Sequence, residues 1–270
     1  MLKVLELFGG IGACSKALKN LGINYEIVDY VEIDKYAVKS FNAIHNTNFE
    51  PQDITSWDKD IKVDLIMHGS PCQDFSLAGK QAGGDKDSGT RSSLMYETIR
   101  IVTKLKPKYV IWENVKNLLS KKHIHNFNAY LETMEQLGYT NYYQVLNAKD
   151  YGIPQNRERV FVISILGEHK KFEFPQKQEL KLKLKDLLES DVDKKYYLSV
   201  EGTNKLKYND IESDHLNIKN ATKQGYLEAH DGDGCYIQNI DKKRGTVQKN
   251  MIPTLKTSPD IGVVVVNDTR

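Results

Sequence analysis

The sequence predicts an α/β fold, with a doubly wound, mostly parallel sheet and a second, smaller, irregular β-rich domain. Two observations predict it. Short apolar runs alternate with amphipathic stretches up to about residue 166, which is typical of a parallel sheet with helices on both faces. Near Lys170 the chain becomes polar and rich in lysine, and scattered turn signals follow. We therefore expect a first domain over residues 1–190 and a second over residues 191–270.

The individual elements follow from apolar periodicity and from the residues that bound each run. The predicted strands are, in chain order, KVLELF, EIVDYVEI, VDLIMHG, KYVIWENV, NYYQVLNA and RVFVISIL. The predicted helices are SKALKNLG, DKYAVKSFNAIH, SSLMYETIRIVTKLKP and IHNFNAYLETMEQLG. We expect Gly22 and Gly138 to end the first and fourth helices, Asp34 to cap the second, and a serine to cap the third, which stops before Pro107.

Composition limits the class of protein. A hydrophobic content of 40% and a charged content of 27% are ordinary for a globular protein. No apolar run approaches the ~20 residues of a membrane-spanning helix, and MLKVLELFGG does not have the form of a signal peptide. Three widely spaced cysteines make neither a disulfide framework nor a zinc site, so we expect a cytoplasmic protein without a metal. A net charge of +2 neither indicates nor excludes nucleic-acid binding.

A glycine turn, FGGIGACS, follows the first strand and opens the first helix. Gly10 and Gly12 allow a ligand to approach the backbone closely, but Ser15 replaces the third glycine of a dinucleotide fingerprint. A tight packing turn explains the motif equally well. Glu32 ends the second strand, where a carboxylate commonly binds ribose hydroxyls, and Asp53 lies where it could accept a bond from an adenine amino group. Each acid alone is more often solvated, but together they predict an adenosine-containing cofactor at the carboxyl edge of the sheet.

Chemically active residue types follow the later strands at the same edge. Cys72 follows the third strand in MHGSPCQDFS, and this position favours a reactive cysteine over a buried one. The long glycine-rich stretch LAGKQAGGDKDSGTR predicts a mobile lid beside it. Glu113 and Asn114 close the strand KYVIWENV; the glutamate could donate a proton or simply pair with a lysine or arginine. Arg157 and Arg159 lie two apart in an extended segment and suit a phosphate or carboxylate, with a surface ion pair as the alternative.

The segments DLIMHGSPCQDFS, WENV and YGIPQNRERVF, in this order behind LELFGGIG, resemble the cytosine-5 DNA methyltransferase family over roughly residues 1–167. The resemblance implies a class I methyltransferase, Rossmann-like fold, S-adenosylmethionine as cofactor, and a cytosine flipped out of double-stranded DNA. It implies Cys72 as the nucleophile, Glu113 as the residue that engages the ring nitrogen, and Arg157 and Arg159 as residues that hold the base and the catalytic loop. The implied cofactor residues are Phe8, Gly10, Gly12, Glu32, Ile33, Asp53, Ile54, Pro71 and Leu94.

The same resemblance marks residues 191–270 as a target-recognition region, and the stretch KRGTVQKNMIPTLKTSPDIGVVVV resembles the end of the family's recognition segment. Family members normally continue with an arginine-containing segment, a helical stretch and a final Gly-Asn motif. We therefore expect a chain that lacks these motifs, has weak or no activity alone, and is a fragment or is completed by a second chain.

Three other functions stay open at this point. They are a transfer-RNA methyltransferase with the same cysteine chemistry, a non-catalytic DNA-binding subunit, and a nicotinamide-dependent oxidoreductase. The sizeable recognition region favours DNA over transfer RNA. Intact Cys72, Glu113 and Arg157 favour an active site. The Pro-Cys and paired-arginine motifs have no role in an oxidoreductase. Restriction protection, phage self-protection and regulation are equally compatible with the sequence.

Overall fold

Two compact units make up the chain. The computed structural model describes residues 1–71, 94–208, 215–237, 244–255 and 260–265. The first unit comprises Met1–Leu146 and Arg159–Phe174, and the second comprises Asn147–Glu158 and Pro175–Arg270. The main change of unit therefore falls at Phe174, before the predicted boundary near residue 190, and a short earlier segment also belongs to the second unit.

One six-stranded sheet organises the first unit. Its strands are β1 (Leu2–Leu7), β2 (Tyr25–Val31), β3 (Leu65–His68), β4 (Tyr109–Val115), β5 (Tyr139–Asn147) and β7 (Glu158–Leu166), while β6 (Gln155–Asn156) belongs to the second unit. The strand order is β2-β1-β3-β4-β7-β5. The pairs β1–β2, β1–β3 and β3–β4 are parallel, and β4–β7 is antiparallel. The predicted mostly parallel sheet is therefore confirmed.

Helices cover both faces of this sheet, as the alternation predicted. They are α1 (Ala13–Asn20), α2 (Lys35–His45), α3 (Met95–Leu105) and α4 (Ile124–Gln136). Successive strand residues point to opposite faces, so Val4 of β1 packs with Leu18 of α1, whereas Leu5 and Leu7 share the core with α3 and α4. Trp112 of β4 is completely buried in that larger core. The sheet is thus wound on both sides, which leaves its carboxyl edge open for a site.

The predicted helix ends that fall on described residues agree with the structure. The Asp34 carboxylate accepts from the backbone N–H groups of Tyr36 and Ala37 at 2.8 and 3.0 Å, which confirms the predicted cap of α2. The serine cap predicted for α3 falls on Ser92 and Ser93, which lie outside the described residues; the first described residue before the helix, Leu94, makes no side-chain cap. Leu94 is partly buried and packs against the hydrophobic core.

The second unit is built from short strands, in agreement with the predicted irregular β-rich domain. Besides β6 and the helix α5 (Val200–Leu206), it contains β8 (Leu216–Lys219), β9 (Tyr226–Ala229), β10 (Gly234–Tyr236), β11 (Thr246–Gln248), β12 (Ile252–Pro253) and β13 (Ile261–Val263). They form the sheets β11-β10-β13, β12-β6 and β8-β9. Buried Asp233 accepts from the backbone N–H groups of His230 and Asn250, which ties two of its turns together. Among the described residues of the chain, none of the helices combines the length and apolarity that a membrane crossing requires.

Candidate active site

The glycine turn connects β1 to α1 through strained and tightly packed backbone. Phe8 has a φ of 53°, which is uncommon for a residue with a side chain. Such strained backbone is concentrated at functional sites. Gly12 has a φ of 85°, and a Cβ atom there would overlap His45 Nε2 and lie 2.7 Å from the Phe41 ring. By contrast, a Cβ at Gly10 would meet open space. The turn therefore needs glycine at Gly12 for packing and leaves its backbone accessible at Gly10.

A buried carboxylate, Glu6, lies beneath this turn. Only 1% of Glu6 is exposed, and its Oε2 accepts from the Ser15 hydroxyl. The backbone N–H groups of Cys14 and Ser15, in the first turn of α1, act to lower its pKa, but the buried Oε1 has no hydrogen-bond partner among the described residues. Burial raises the pKa of Glu6 from 4.5 to about 7, although these hydrogen bonds act in the opposite direction. Glu6 thus lies in the interior of the protein and is hydrogen bonded to Ser15 in the first turn of α1.

Sequence reasoning missed Glu6. The available signal was an acidic residue within the otherwise apolar strand KVLELF, two positions before the glycine turn. An acidic residue in a strand that is buried on both faces needs a hydrogen-bond donor or a positive charge nearby, because burial of an unpaired carboxylate is costly.

Glu32 joins the glycine turn to the start of α2. Its Oε2 accepts from Gly10 N–H at 3.1 Å, and its Oε1 accepts from Asp34 N–H at 2.9 Å. The neighbouring Ile33 is 68% exposed at the same edge. The two predicted cofactor positions Gly10 and Glu32 therefore meet directly.

The loop that carries Asp53 and Ile54 is held in place by a third acid. Asp29, 4% exposed, accepts from Trp57 Nε1 and Lys59 Nζ at 2.7 Å and from Gln52 Nε2 at 2.9 Å. Burial alone would raise the pKa of Asp29, but the hydrogen bonds, that from Lys59 foremost, outweigh it and lower the pKa. The loop is consequently anchored to β2 by a charged carboxylate.

Of the two predicted residues in that loop, one is exposed and one is buried. Asp53 is exposed, and its Oδ1 accepts from both the N–H and the hydroxyl of Thr55. Ile54 is buried, and its carbonyl accepts from Arg100 Nη2 at 2.9 Å. A surface cavity of about 450 Å³ is lined by residues between Pro51 and Lys59. Within the described part of the chain, Asp53 is the one predicted cofactor residue in its lining, so the cavity does not outline a cofactor site.

The end of β3 is clamped to β4. Trp112 Nε1 donates to Ser70 Oγ at 3.0 Å, and Asn114 Nδ2 donates to the Ser70 carbonyl at 3.4 Å. These bonds fix the backbone just before Pro71, the last described residue before the gap. The predicted nucleophile Cys72 and the predicted lid lie outside the described residues.

Glu113 and Arg159 form an ion pair at the same edge. Arg159 Nε lies 2.9 Å from Glu113 Oε1, and both side chains are largely buried. The antiparallel register places Val115 opposite Arg159 and Glu113 opposite Phe161, so the pair bridges β4 and β7 diagonally. The other oxygen, Oε2, lies 3.7 Å from where a Cβ of Gly69 would be. The glutamate thus has the arginine partner that sequence analysis offered as one alternative, and it faces the backbone that leads to Cys72.

Arg157 does not share a strand with Arg159. It lies between β6 and β7, in the second unit, where its N–H donates to Asn147 Oδ1 at 3.1 Å and its carbonyl accepts from Ala148 N–H. The proposed joint role of the two arginines stays a prediction.

Comparison with known proteins agrees with the motifs. Residues 2–263 match the family described as C-5 cytosine-specific DNA methylase. The chain is 40% identical to the type II methyltransferase M2.ScrFI of Lactococcus lactis subsp. cremoris, over 73% of this chain and 70% of the relative. It is 37% identical to the orphan methyltransferase M.SPRI of Bacillus phage SPR, over 83% of this chain and 58% of the relative. The chain thus spans only part of the length of these relatives.

A solved structure shows the same fold. The DNMT2 of Spodoptera frugiperda superposes with a TM-score of 0.62 at 24% identity, over 77% of this chain and 66% of that one. The names of these relatives do not support the expectation that a second chain completes the protein. The resemblance seen in the motifs is confirmed by the match over residues 2–263: the chain belongs to the family of C-5 cytosine-specific DNA methylases.

Proposed function

We propose that this chain is a DNA cytosine-5 methyltransferase, which transfers a methyl group from S-adenosylmethionine to carbon 5 of a cytosine flipped out of double-stranded DNA. The observation that carries the proposal is the Glu113–Arg159 pair beside Gly69. The pair holds the Glu113 carboxylate in a fixed orientation at the carboxyl edge of the sheet. Gly69, which this carboxylate faces, precedes the predicted nucleophile Cys72 by three residues in the sequence. Ligands of open α/β sheets bind at this edge.

The residues around the glycine turn fit S-adenosylmethionine. Gly10 leaves the backbone open, and Glu32 is held against it with a half-exposed carboxylate suited to ribose hydroxyls. Ile33 adds exposed apolar surface, and the exposed Asp53 adds a carboxylate that can accept from an adenine amino group. When bound, S-adenosylmethionine supplies an electrophilic methyl group on a sulfonium sulfur.

The protein's own residues supply the activation of cytosine. Carbon 5 is a poor nucleophile until the Cys72 thiolate adds to carbon 6, which forms an S–C bond and makes carbon 5 enamine-like. Glu113 hydrogen bonds or donates a proton to nitrogen 3, where negative charge develops, and Arg159 holds Glu113 in position. After carbon 5 has taken the methyl group, a base removes its proton, and the electron pair expels the Cys72 thiolate by elimination.

The state of the two described cysteines supports this assignment of the nucleophile. Burial, reinforced by nearby Glu6 and Glu113, raises the pKa of Cys14 to about 12. Burial raises the pKa of Cys235 to about 12 as well. Both therefore remain protonated thiols at neutral pH, and a protonated thiol is a poor nucleophile.

A trapping experiment tests nucleophile, cofactor and substrate together. The chain is incubated with labelled S-adenosylmethionine and duplex DNA that contains 5-fluorocytosine. Fluorine at carbon 5 cannot leave as a proton does, so the covalent complex persists and is seen on a denaturing gel. We expect this adduct, at the low level that weak activity of the chain alone allows, for the wild type and for Cys14→Ser, and none for Cys72→Ser.

Two outcomes would contradict the proposal. An adduct with Cys72→Ser would show that another group attacks carbon 6, and no adduct with the wild type would deny the activity to this chain. A competition between duplex DNA and transfer RNA for methyl transfer separates the two substrate classes.

A further inference from the structure

A basic, acid-free segment follows β4 directly. No aspartate or glutamate occurs between Glu113 and Glu132, although the chain as a whole has 36 acidic residues among 270. The same segment contains three lysines and two histidines. Four of these side chains are exposed and define what we call the basic patch: Lys116, Lys121, Lys122 and His125.

The backbone that carries the basic patch is well anchored. Leu118 is completely buried, and the Ser120 carbonyl accepts from the N–H groups of His123 and Ile124 at 2.9 Å. Asn126, at the start of α4, is also buried, and Tyr96 of α3 donates to its Oδ1 at 3.5 Å. Because its interior side is fixed in this way, the segment presents its lysines outward from a defined position rather than from a loose loop.

The basic patch lies at the edge of the sheet that carries Glu113. It begins at Lys116, three residues after Glu113 and just beyond the end of β4. A cytosine that reaches Glu113 must still be attached to its strand, so phosphates pass close to this edge. A net charge of only +2 means that attraction for DNA must come from local groups such as these.

We propose that the basic patch binds the phosphate backbone of the duplex DNA whose cytosine reaches Glu113. This proposal rests on the proposed function. Lysines act here as point charges, so the contact adds affinity without sequence preference. Each phosphate contact contributes a slope of about 0.9 to the fall of log affinity with log salt, which is roughly eightfold in affinity at 0.1 M salt.

A matched pair of double variants tests the proposal. Lys121→Gln with Lys122→Gln removes two charges from the basic patch. Lys19→Gln with Lys106→Gln removes the same number from exposed positions at the far ends of α1 and α3, near the opposite edge of the sheet. Binding of a fluorescent duplex and, separately, of a fluorescent transfer RNA is measured by anisotropy between 50 and 400 mM salt. Circular dichroism checks that both variants are folded.

We expect the patch variant to lose about 1.8 from the salt slope and to bind unrelated duplex sequences equally more weakly. The control should stay within about twofold of the wild type, since distant exposed charges are screened at these salt concentrations. If the two variants have the same affinity and salt slope for the duplex while the wild type still forms the 5-fluorocytosine adduct, the role of the basic patch is refuted and the proposed function is not. Absence of any duplex binding by the wild type would overturn both proposals. A loss confined to transfer RNA would overturn duplex DNA as the occupant.

Discussion

Replacement of Glu6 by glutamine should change how the stability of the first unit depends on pH. The folded protein keeps this buried carboxyl protonated up to a pKa of about 7, whereas its ordinary value is 4.5. Between these values the unfolded chain loses a proton that the folded chain retains. The wild type therefore loses stability through Glu6 as pH rises from 4.5 to 7, and glutamine, which does not titrate, removes this loss.

The magnitude follows from the same two values. One pKa unit corresponds to about 1.4 kcal/mol, so the complete transition is worth about 3 kcal/mol. Part of it has already occurred at pH 5, which leaves about 2.5 kcal/mol between pH 5 and pH 8. We expect the free energy of unfolding of Glu6→Gln, relative to the wild type, to increase by about this amount over that interval.

His68 has the opposite effect and would hide that of Glu6 in the wild type alone. This histidine is 2% exposed, and burial lowers its pKa from 6.5 to about 3. Its contribution is fully present above pH 6.5 and is lost as the pH falls, because the unfolded chain then binds a proton that the folded chain does not. Between pH 4.5 and 6.5 the slopes from Glu6 and His68 cancel, so only the difference between variant and wild type isolates Glu6.

Urea unfolding followed by tryptophan fluorescence suits this measurement. Both tryptophans of the chain, Trp57 and Trp112, are buried in the core of the first unit. Glu50→Gln, which removes an exposed carboxyl from the same unit, provides the control and is measured over the same pH range. A pH-independent difference between Glu6→Gln and the wild type would refute the reasoning, because it would mean that Glu6 titrates alike in the folded and unfolded chain.

Two further substitutions test the residues that hold the Asp53 loop and the glycine turn in place. Asp29→Asn keeps the shape but removes the charge that Lys59 and three other donors contact, so urea unfolding should show a loss of about 1–3 kcal/mol at pH 7. Because the folded pKa of Asp29 is lowered, this loss should shrink as the pH falls below 3.8; a constant loss would contradict it. Gly12→Ala should abolish binding of S-adenosylhomocysteine in calorimetry, since its Cβ would overlap His45. Gly22→Ala has a similar positive φ but open space around it, and it should bind normally; equal losses would contradict the packing argument.

The order of the elements could be predicted because each carries its own local signal. Asp34 caps α2 as predicted, since an N-cap depends on two or three neighbouring residues. The serine cap predicted for α3 lies outside the described residues, whereas the packing of Leu94 against the core depends on other elements and is not a local property. The antiparallel direction of β7 also depends on the complete sheet, so the sequence supported only a mostly parallel arrangement.

The candidate site shows the same limit. Strand ends placed Glu113 at the carboxyl edge, but its ion pair with Arg159 depends on the register between β4 and β7, which the sequence does not contain. Glu6 and Asp29 escaped prediction because they act through partners that fold onto them from other elements. Assignment of Asn147–Glu158 to the second unit likewise depends on contacts with β12, which lies far along the chain.

Glu6 also bears on the choice among cofactors that the glycine turn left open. In dinucleotide-binding folds, the free N–H groups at the N-terminus of the first helix bind a pyrophosphate. Here the Ser15 side chain donates to the buried Glu6, and the ionised fraction of Glu6 beneath the turn would repel a phosphate above it. S-adenosylmethionine has no phosphate and carries a positive sulfonium, so the same carboxylate disfavours a nicotinamide dinucleotide without any cost to the methyl donor. The third glycine missing from the fingerprint and the buried acid at β1 therefore have one explanation, since Ser15 is the residue that holds Glu6 in place.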